Sequence, residues 1–301
     1  MLTKNIPHRT RIAPSPTGHL HLGHVLHLLY VQGLARKLKA EVCFRLEDHD
    51  LSRCRPQFEQ SLLADLRWLG VDIPPNPWRQ SDRHAVYHMH LENLMSRGLI
   101  YACICSRKEI YQVTGQTSGE LHYPGTCRQK NYPLDTAEAS LRLKIDAVPS
   151  HSNHGHWTFH DFFGGVQSEG AHALSGDVVI RDRLRQWTYQ FAVVIDDLEQ
   201  GIDLIIRGED LLLSTTRQLA MREIISPGAV TPYFAHHPLL RDQTGEKLAK
   251  RRLSEGVASL RDQGFSAAEV RGRAAYLGGL IQKERALDLG ENPVQDLKPK
   301  A

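Results

Sequence analysis

An α/β fold on a parallel, doubly wound sheet is predicted for this 301-residue chain by three observations. Short apolar runs of strand length alternate with segments of helical periodicity. The first strand is joined to the first helix by a turn rich in Pro, Ser and Gly. The alternation is interrupted once, from about Tyr101 to Gly176, by a stretch of histidines, glycines and short strands, and then resumes.

Thr10 to Ala13 reads as the first strand, running into Pro14-Ser15-Pro16-Thr17-Gly18, after which Leu22, Val25, Leu26, Leu29, Leu34 and Leu38 mark a helix. Val42 to Leu46 has strand length, and Pro56 to Leu69 repeats Phe58, Leu62, Leu63, Leu66 and Leu69 before Gly70 stops it. Ser81 is placed to cap a helix carrying Tyr87, Leu91 and Leu94 that ends near Gly98. Within the interruption, Ser106 to Glu109 is a capping-box helix start and Leu141 to Ile145 a strand. The β/α rhythm is expected to return with Val178 to Arg181, Trp187 to Ile195 and Leu204 to Arg207, then a helix over Thr215 to Ile225. A basic loop follows Pro238, then two helical stretches, the second opened by the Ser266 to Glu269 capping pattern and carrying Val270, Ala274, Leu277 and Leu280. The tail from Glu284 to Ala301 is polar and expected to fray. The predicted division is residues 1–100, first half of the sheet domain; 101–176, an inserted α+β subdomain; 177–235, second half; and 236–301, basic loop and helical C-terminal part.

With 41% hydrophobic and 24% charged residues, the chain can bury a core and is not a disordered or low-complexity protein. A net charge of +3 neither demands nor opposes a polyanionic partner. The start lacks the apolar core of a signal peptide and no stretch is long enough to span a bilayer, so a cytoplasmic protein with no membrane partner is expected. Five cysteines argue for reduced thiols and against a disulfide framework.

His21-Leu22-Gly23-His24 sits where the first strand hands over to the first helix, a place where backbone N–H groups and the helix dipole attract phosphate. Preceded by Arg11-Ile12-Ala13-Pro14-Ser15-Pro16-Thr17-Gly18 and Leu20, it resembles the HIGH signature of class I aminoacyl-tRNA synthetases of the glutamyl and glutaminyl type. Lys247-Leu248-Ala249-Lys250-Arg251 resembles their second signature, the KMSKS loop, with Ala249 in place of the usual serine. The landmarks Val193 to Asp197 and Ile206 to Asp210 extend the resemblance over about residues 9 to 255. It implies a Rossmann-type catalytic domain with an inserted zinc-binding subdomain, and ATP with Mg²⁺ as a substrate. The ATP residues it implies are Pro14, Gly18, His21, Gly23, His24, Lys247 and Lys250. His21, His24, Lys247 and Lys250 would act on the phosphates in the transition state.

By the same resemblance, Arg11, Ile12, Ala13, Pro14, Ser15, Glu47, Tyr189 and Arg207 would bind L-glutamate. The chemistry agrees, because a dicarboxylate with one ammonium asks for two arginines and one acid. Cys103, Cys105 and Cys127 supply three thiolates within the insertion, and a zinc site needs a fourth ligand, either Tyr123 or His122. The Cys-x-Cys…Tyr…Cys pattern, and the short stretch after the lysine loop where glutamyl enzymes continue into an anticodon-binding region, resemble the glutamyl-queuosine tRNA(Asp) synthetases. That subgroup transfers glutamate to the queuosine base in the anticodon loop of tRNA(Asp). Conventional charging of tRNA(Glu), and a catalytically silent RNA- or amino-acid-binding relative, are the alternatives.

Overall fold

The computed structural model describes residues 7–115, 121–147, 156–170, 175–240 and 256–300. In chain order the first elements are β1 (Arg9–Ile12), α1 (Leu22–Leu38), β2 (Glu41–Leu46), α2 (Pro56–Trp68), β3 (Trp78–Arg79) and α3 (His84–Ser96). The middle of the chain forms β4 (Ile100–Cys103), α4 (Arg107–Thr114), β5 (Ser140–Leu143), β6 (His156–Asp161), β7 (Gly165–Gly170) and β8 (Val178–Arg181). Then come α5 (Tyr189–Glu199), β9 (Leu204–Gly208), α6 (Thr215–Ile225), β10 (Tyr233–His237), α7 (Val257–Asp262) and α8 (Ala267–Leu277).

Strands β1, β2 and β3 pair in parallel, as do β9 and β10. The two groups meet at a seam between β1 and β9. There the Asp203 backbone N–H donates to the Arg9 carbonyl at 3.2 Å, and the Asp203 carboxylate accepts from the backbone N–H of His8 and Arg9. The order is therefore β3-β2-β1 facing β9-β10, with the direction of winding reversing at the seam, and the crevice at the carboxyl ends of β1 and β9 is where α/β folds hold ligands. Helix α1 covers this sheet and is buried on most of its circumference, from Leu22 through Ala35, because α8 packs on its outer side.

Trp187 to Ile195, in the stretch where the β/α rhythm returns, is helix α5 with its preceding turn, and its apolar residues are buried all round, which erases the helical period. The structure departs from the sequence reading at four points. β8 does not resume the parallel sheet but pairs antiparallel with β5, which pairs antiparallel with β4. Conversely, the β6–β7 hairpin joins the main sheet, β6 lying parallel to β10. Strand pairing thus crosses the division expected at 101 and 177, since β4 and β8 flank the insertion while the hairpin inside it belongs to the catalytic sheet. Ser81 is not a cap: its N–H and Oγ–H both donate to Asp48 at 2.8 Å, and it opens a 3₁₀ turn before α3.

The fourth departure concerns the tail. Leu287 and Val294 are buried, Val294 so close to α1 that a Cβ on Gly33 would stand 2.0 Å from its Cγ2. Arg36 and Lys37, in the last turn of α1, donate to the carbonyls of Leu289, Glu291 and Leu297 in the tail. Polar composition concealed two apolar anchors and a set of basic partners for exposed carbonyls. Leu287→Ala should lower the unfolding free energy by about 2–4 kcal/mol in urea titration, as removal of a buried leucine does. A loss below about 0.5 kcal/mol would mark the tail as frayed.

Candidate active site

Three arginines meet at the seam, and they are not treated alike. Arg45, on β2 and fully buried, lies 2.9 Å from both Asp197 and Glu47, and 3.8 Å from Asp196. Burial works against its charge, but Asp197, Glu47 and Asp196 together outweigh it and hold Arg45 protonated. Arg11, on β1, donates its Nε–H to Asp197 at 3.1 Å and an Nη1–H across the seam to the Ile206 carbonyl at 3.2 Å. Burial pushes the Asp197 carboxyl up, yet Arg11 and Arg45 outweigh burial and hold it below the usual carboxylate range. Asp196 accepts from Gln80, Arg83 and Tyr87, which ties α5 to the segment that follows β3.

Arg207, at the end of β9, is also buried but has only neutral acceptors. Its Nε–H donates to His236 Nε2 at 3.0 Å, Nη1 to Gln218 at 2.5 Å and Nη2 to the Thr215 hydroxyl at 2.8 Å. Among the described residues no carboxylate stands within ion-pair distance of it, and burial with Arg11 nearby pushes its pKa down. Tyr189, the first residue of α5, is close enough to Glu47 and Arg207 that burial first, and then Glu47, raise its hydroxyl pKa. Arg11, Glu47, Tyr189 and Arg207 thus gather at one seam. Ile12 has its side chain in the core against α1, and Pro14 uses its carbonyl to accept the Glu47 N–H at 2.9 Å. Ser15 is exposed and accepts the Thr17 N–H through its own carbonyl, while Ala13 is partly covered.

His21 is the N-cap of α1: its Nδ1 accepts the Gly23 N–H at 3.1 Å, and His24 Nδ1 accepts the His21 N–H at 3.1 Å. The two imidazoles, 3.9 Å apart between centroids, stand at the positive end of the helix. A Cβ at Gly23 would crowd the His21 ring at 2.9 Å, whereas one at Gly18 would meet nothing within 4 Å. The Val257 N–H donates to the Leu20 carbonyl at 2.9 Å, and Gly256 bridges to His21. Gly256 and Val257 therefore stand directly beside the start of α1. Lys247, Ala249 and Lys250 lie outside the described residues.

In the antiparallel sheet's vicinity, Cys103, Cys105 and Cys127 bring their sulfurs within 4.8 Å of one another. The Tyr123 hydroxyl joins them, 3.3 Å from Cys103 Sγ and accepting the Cys127 N–H at 2.9 Å. His122 is exposed and is not part of the group. Sulfurs in a tetrahedral zinc site stand roughly 3.8 Å apart, so this donor set fits the ion. A cleft of about 930 Å³ runs from Tyr123 and Cys105 to Tyr189, with Arg53, Arg107, Arg183 and Arg217 on its walls. It shares Tyr189 with the arginine seam.

The charged supporters Arg45, Asp161, Asp196 and Asp197, and the neutral ones Gln218 and His236, were not anticipated as parts of the site. Their one trace in the sequence is charge inside otherwise apolar runs, as in Val42-Cys43-Phe44-Arg45-Leu46 and Val193-Val194-Ile195-Asp196-Asp197.

Residues 8–287 match the family described as tRNA synthetases class I (E and Q), catalytic domain. The chain belongs to that family and is a ligase of the aminoacyl-tRNA synthetase type, acting on an amino acid, ATP and tRNA. It is 39% identical over 287 residues to the Glutamyl-Q tRNA(Asp) synthetase of Nitratidesulfovibrio vulgaris, covering 91% of this chain and 87% of that one. It is 37% identical over 277 residues to the protein of the same name from Rhodobacter capsulatus, covering 87% and 98%. A crystal structure of a glutamate tRNA ligase from Elizabethkingia meningosepticum in complex with its amino acid superposes with a TM-score of 0.70 at 25% identity. That match covers 89% of this chain and spans 60% of the length of the ligase. No described helix is long and apolar enough to cross a membrane.

Arg45→Met should cost about 3–5 kcal/mol at pH 7, because it strands buried carboxylates. Asp197 has a depressed pKa, so its contribution to stability is present above its unfolded value of about 3.9 and is lost as pH falls through the folded one. The gap between wild type and variant should accordingly narrow below about pH 4 in denaturation series. A gap independent of pH would separate the loss from the carboxylates.

Proposed function

We propose that the chain activates L-glutamate with ATP and transfers the glutamyl group to the queuosine base in the anticodon loop of tRNA(Asp). The observation that carries the glutamate reading is the contrast between the arginines: Arg45 is neutralised by three carboxylates, while buried Arg207 has none among the described residues. A buried cation held only by neutral acceptors is completed by an anionic ligand. Its terminal nitrogens each carry a second N–H beyond the bond they make to Gln218 or Thr215, which suits a bidentate carboxylate.

In this reading Arg207 takes the α-carboxylate, Arg11 the side-chain carboxylate and Glu47 the ammonium, with Tyr189 closing the pocket and Ile12 to Ser15 lining it through the chain that leaves β1. Pro14, Gly18, His21, Gly23 and His24 hold ATP, and Lys247 and Lys250 approach its phosphates from the basic loop. One oxygen of the glutamate α-carboxylate attacks the α-phosphorus, the bond to pyrophosphate breaks, and Mg²⁺-bound pyrophosphate departs, leaving glutamyl-adenylate. A hydroxyl of the queuosine cyclopentene diol then attacks the acyl carbon, an ester forms, AMP leaves with the electron pair of the acyl–oxygen bond, and the hydroxyl proton passes to solvent. The diol imitates the ribose diol of a terminal adenosine, so the same groups serve both steps. The arginine-walled cleft beside Tyr189 is where an RNA loop would reach the adenylate.

Cys103, Cys105 and Cys127 with Tyr123 would hold one structural Zn²⁺, which would clip the insertion and take no part in the chemistry. Purified protein should carry about one equivalent of zinc, and Cys103→Ser should lose most of it with a lower melting temperature while ATP binding persists. Metal-free protein of full stability would rule the site out.

The acceptor is tested by glutamate transfer to tRNA(Asp) with queuosine, the same tRNA with unmodified guanine, and tRNA(Glu). Transfer only to the first, abolished by prior periodate cleavage of the diol, is the expected result. Glutamate on the terminal adenosine of tRNA(Glu) would instead make the chain a conventional synthetase, a reading compatible with its likeness to glutamate tRNA ligase.

A further inference from the structure

Arg207 is aimed by a residue on the neighbouring strand. His236 on β10 lies in register with Arg207 on β9 and accepts its Nε–H through Nε2 at 3.0 Å. That nitrogen can accept only when the ring proton is on Nδ1. Nδ1 stands 2.6 Å from Asp161 Oδ2, which also accepts the His236 backbone N–H at 3.0 Å. The other carboxylate oxygen accepts the N–H groups of Phe163 and Gly164 at 2.9 and 2.7 Å. Asp161 is thus clamped by donors from two segments, and the ring has one way to sit, with the Phe234 ring stacked on it 5.7 Å away.

We infer that His236, held as the Nδ1–H tautomer by Asp161, is a positioning residue that fixes the angle at which Arg207 meets the carboxylate of its ligand. The inference rests on the glutamate reading and adds to it the residue pair that orients the anion-binding arginine. An acceptor on Nε2 fixes the guanidinium plane through Nε, so the remaining N–H bonds of Nη1 and Nη2 point together rather than turning about the side chain. Were the ring to gain a second proton, Nε2–H would face Nε–H and the plane would be released.

The charged and titratable groups facing the ring are Asp161 from β6, Arg207 from β9, Asp210 beyond β9, and His237 beside it, and the Thr215 hydroxyl, which accepts from Arg207 Nη2, also lies 3.1 Å from Nε2. Burial, aided by Arg207 and opposed by Asp161 and Asp210, places its pKa below the ordinary histidine value. It is therefore the neutral acceptor at neutral pH and is lost as an acceptor as pH falls through that lowered value. A cavity of about 360 Å³ against Asp161, His236 and Gln167 gives protons a route to the pair.

The test is glutamate-dependent pyrophosphate exchange by the full chain, with KM for glutamate and for ATP measured across pH. His236→Phe, which fills the space but cannot accept, should raise the glutamate KM roughly 10- to 100-fold, the worth of one hydrogen bond to a charged group, with the ATP KM unchanged. His236→Gln supplies an untitratable oxygen. It should stay within a few-fold of wild type at neutral pH and lose the wild-type rise of glutamate KM on acidification, while His27 and His237 remain to titrate in both. Should the Phe variant not fold, the pH profiles of wild type and the Gln variant decide alone. An unchanged glutamate KM in His236→Phe, an equal rise in both KM values, or an acid limb that persists in His236→Gln overturns the inference while leaving the glutamate reading intact. Wild-type protein that shows no glutamate-dependent exchange overturns both.

Discussion

Everything in the catalytic half depends on keeping Arg45 charged in a place without water. Its guanidinium sits between β2 and α5, and the carboxylates that compensate it come from both: Glu47 from the end of β2, Asp196 and Asp197 from α5. A buried cation is costly until such partners arrive together, so the pairing makes strand and helix docking one event. Asp197 then reaches Arg11 on β1, and Asp196 reaches Arg83 and Tyr87 beyond β3, so one set of charges joins the seam to the frame around it. Against this network of opposite charges, Arg207 is conspicuous for having neutral partners only. The two arginines differ in that Arg45 has its countercharges within the fold, whereas no carboxylate among the described residues pairs with Arg207.

The end of the crevice beside β1 is organised by the helix start. His21 and His24 cap each other's backbone at the first turn of α1, which spends one nitrogen of each ring on structure and leaves both rings at the positive helix end. The bond from Val257 to Leu20 and the bridge from Gly256 to His21 bring the start of α7 to this same point. The tail that follows α8 crosses α1, covering Val294 and meeting Arg36 and Lys37. Helix α1 is thereby held at both ends and on both faces, which suits an element that must present its first turn without moving.

Around the cysteines the apolar core is small, with Tyr101, Cys103, Ile110, Tyr123 and Cys127 as its buried members. Arg142 lies over the Tyr123 ring at 3.6 Å, and the Tyr101 hydroxyl donates to Asp177, so polar and sulfur contacts do here what leucines do around α1. A core of this size gains from a metal clip, since ordering the loops has little hydrophobic burial to offset it.

Local pattern alone was sufficient for β1, α1, β2, α2, α6 and the two Ser…Glu capping boxes that open α4 and α8, because their periods and caps are properties of short segments. The signature residues Arg11, His21, Glu47, Tyr189 and Arg207 were legible for the same reason: each sits in a recognisable run at the end of a strand or the start of a helix. What the sequence could not express is who neutralises whom. Arg45 and Glu47 are neighbours in the chain, but the other pairs, Arg11 with Asp197, Arg45 with Asp196 and Asp197, and Asp161 with His236, join segments 75 to 186 residues apart, which no local window spans. The same limit hid the partners of β6 and β8, which have similar local character but join different sheets. Helix α5 shows no clear helical period in the sequence because burial on every side removes the periodicity that marks a helix, and burial on every side is decided by the tertiary structure.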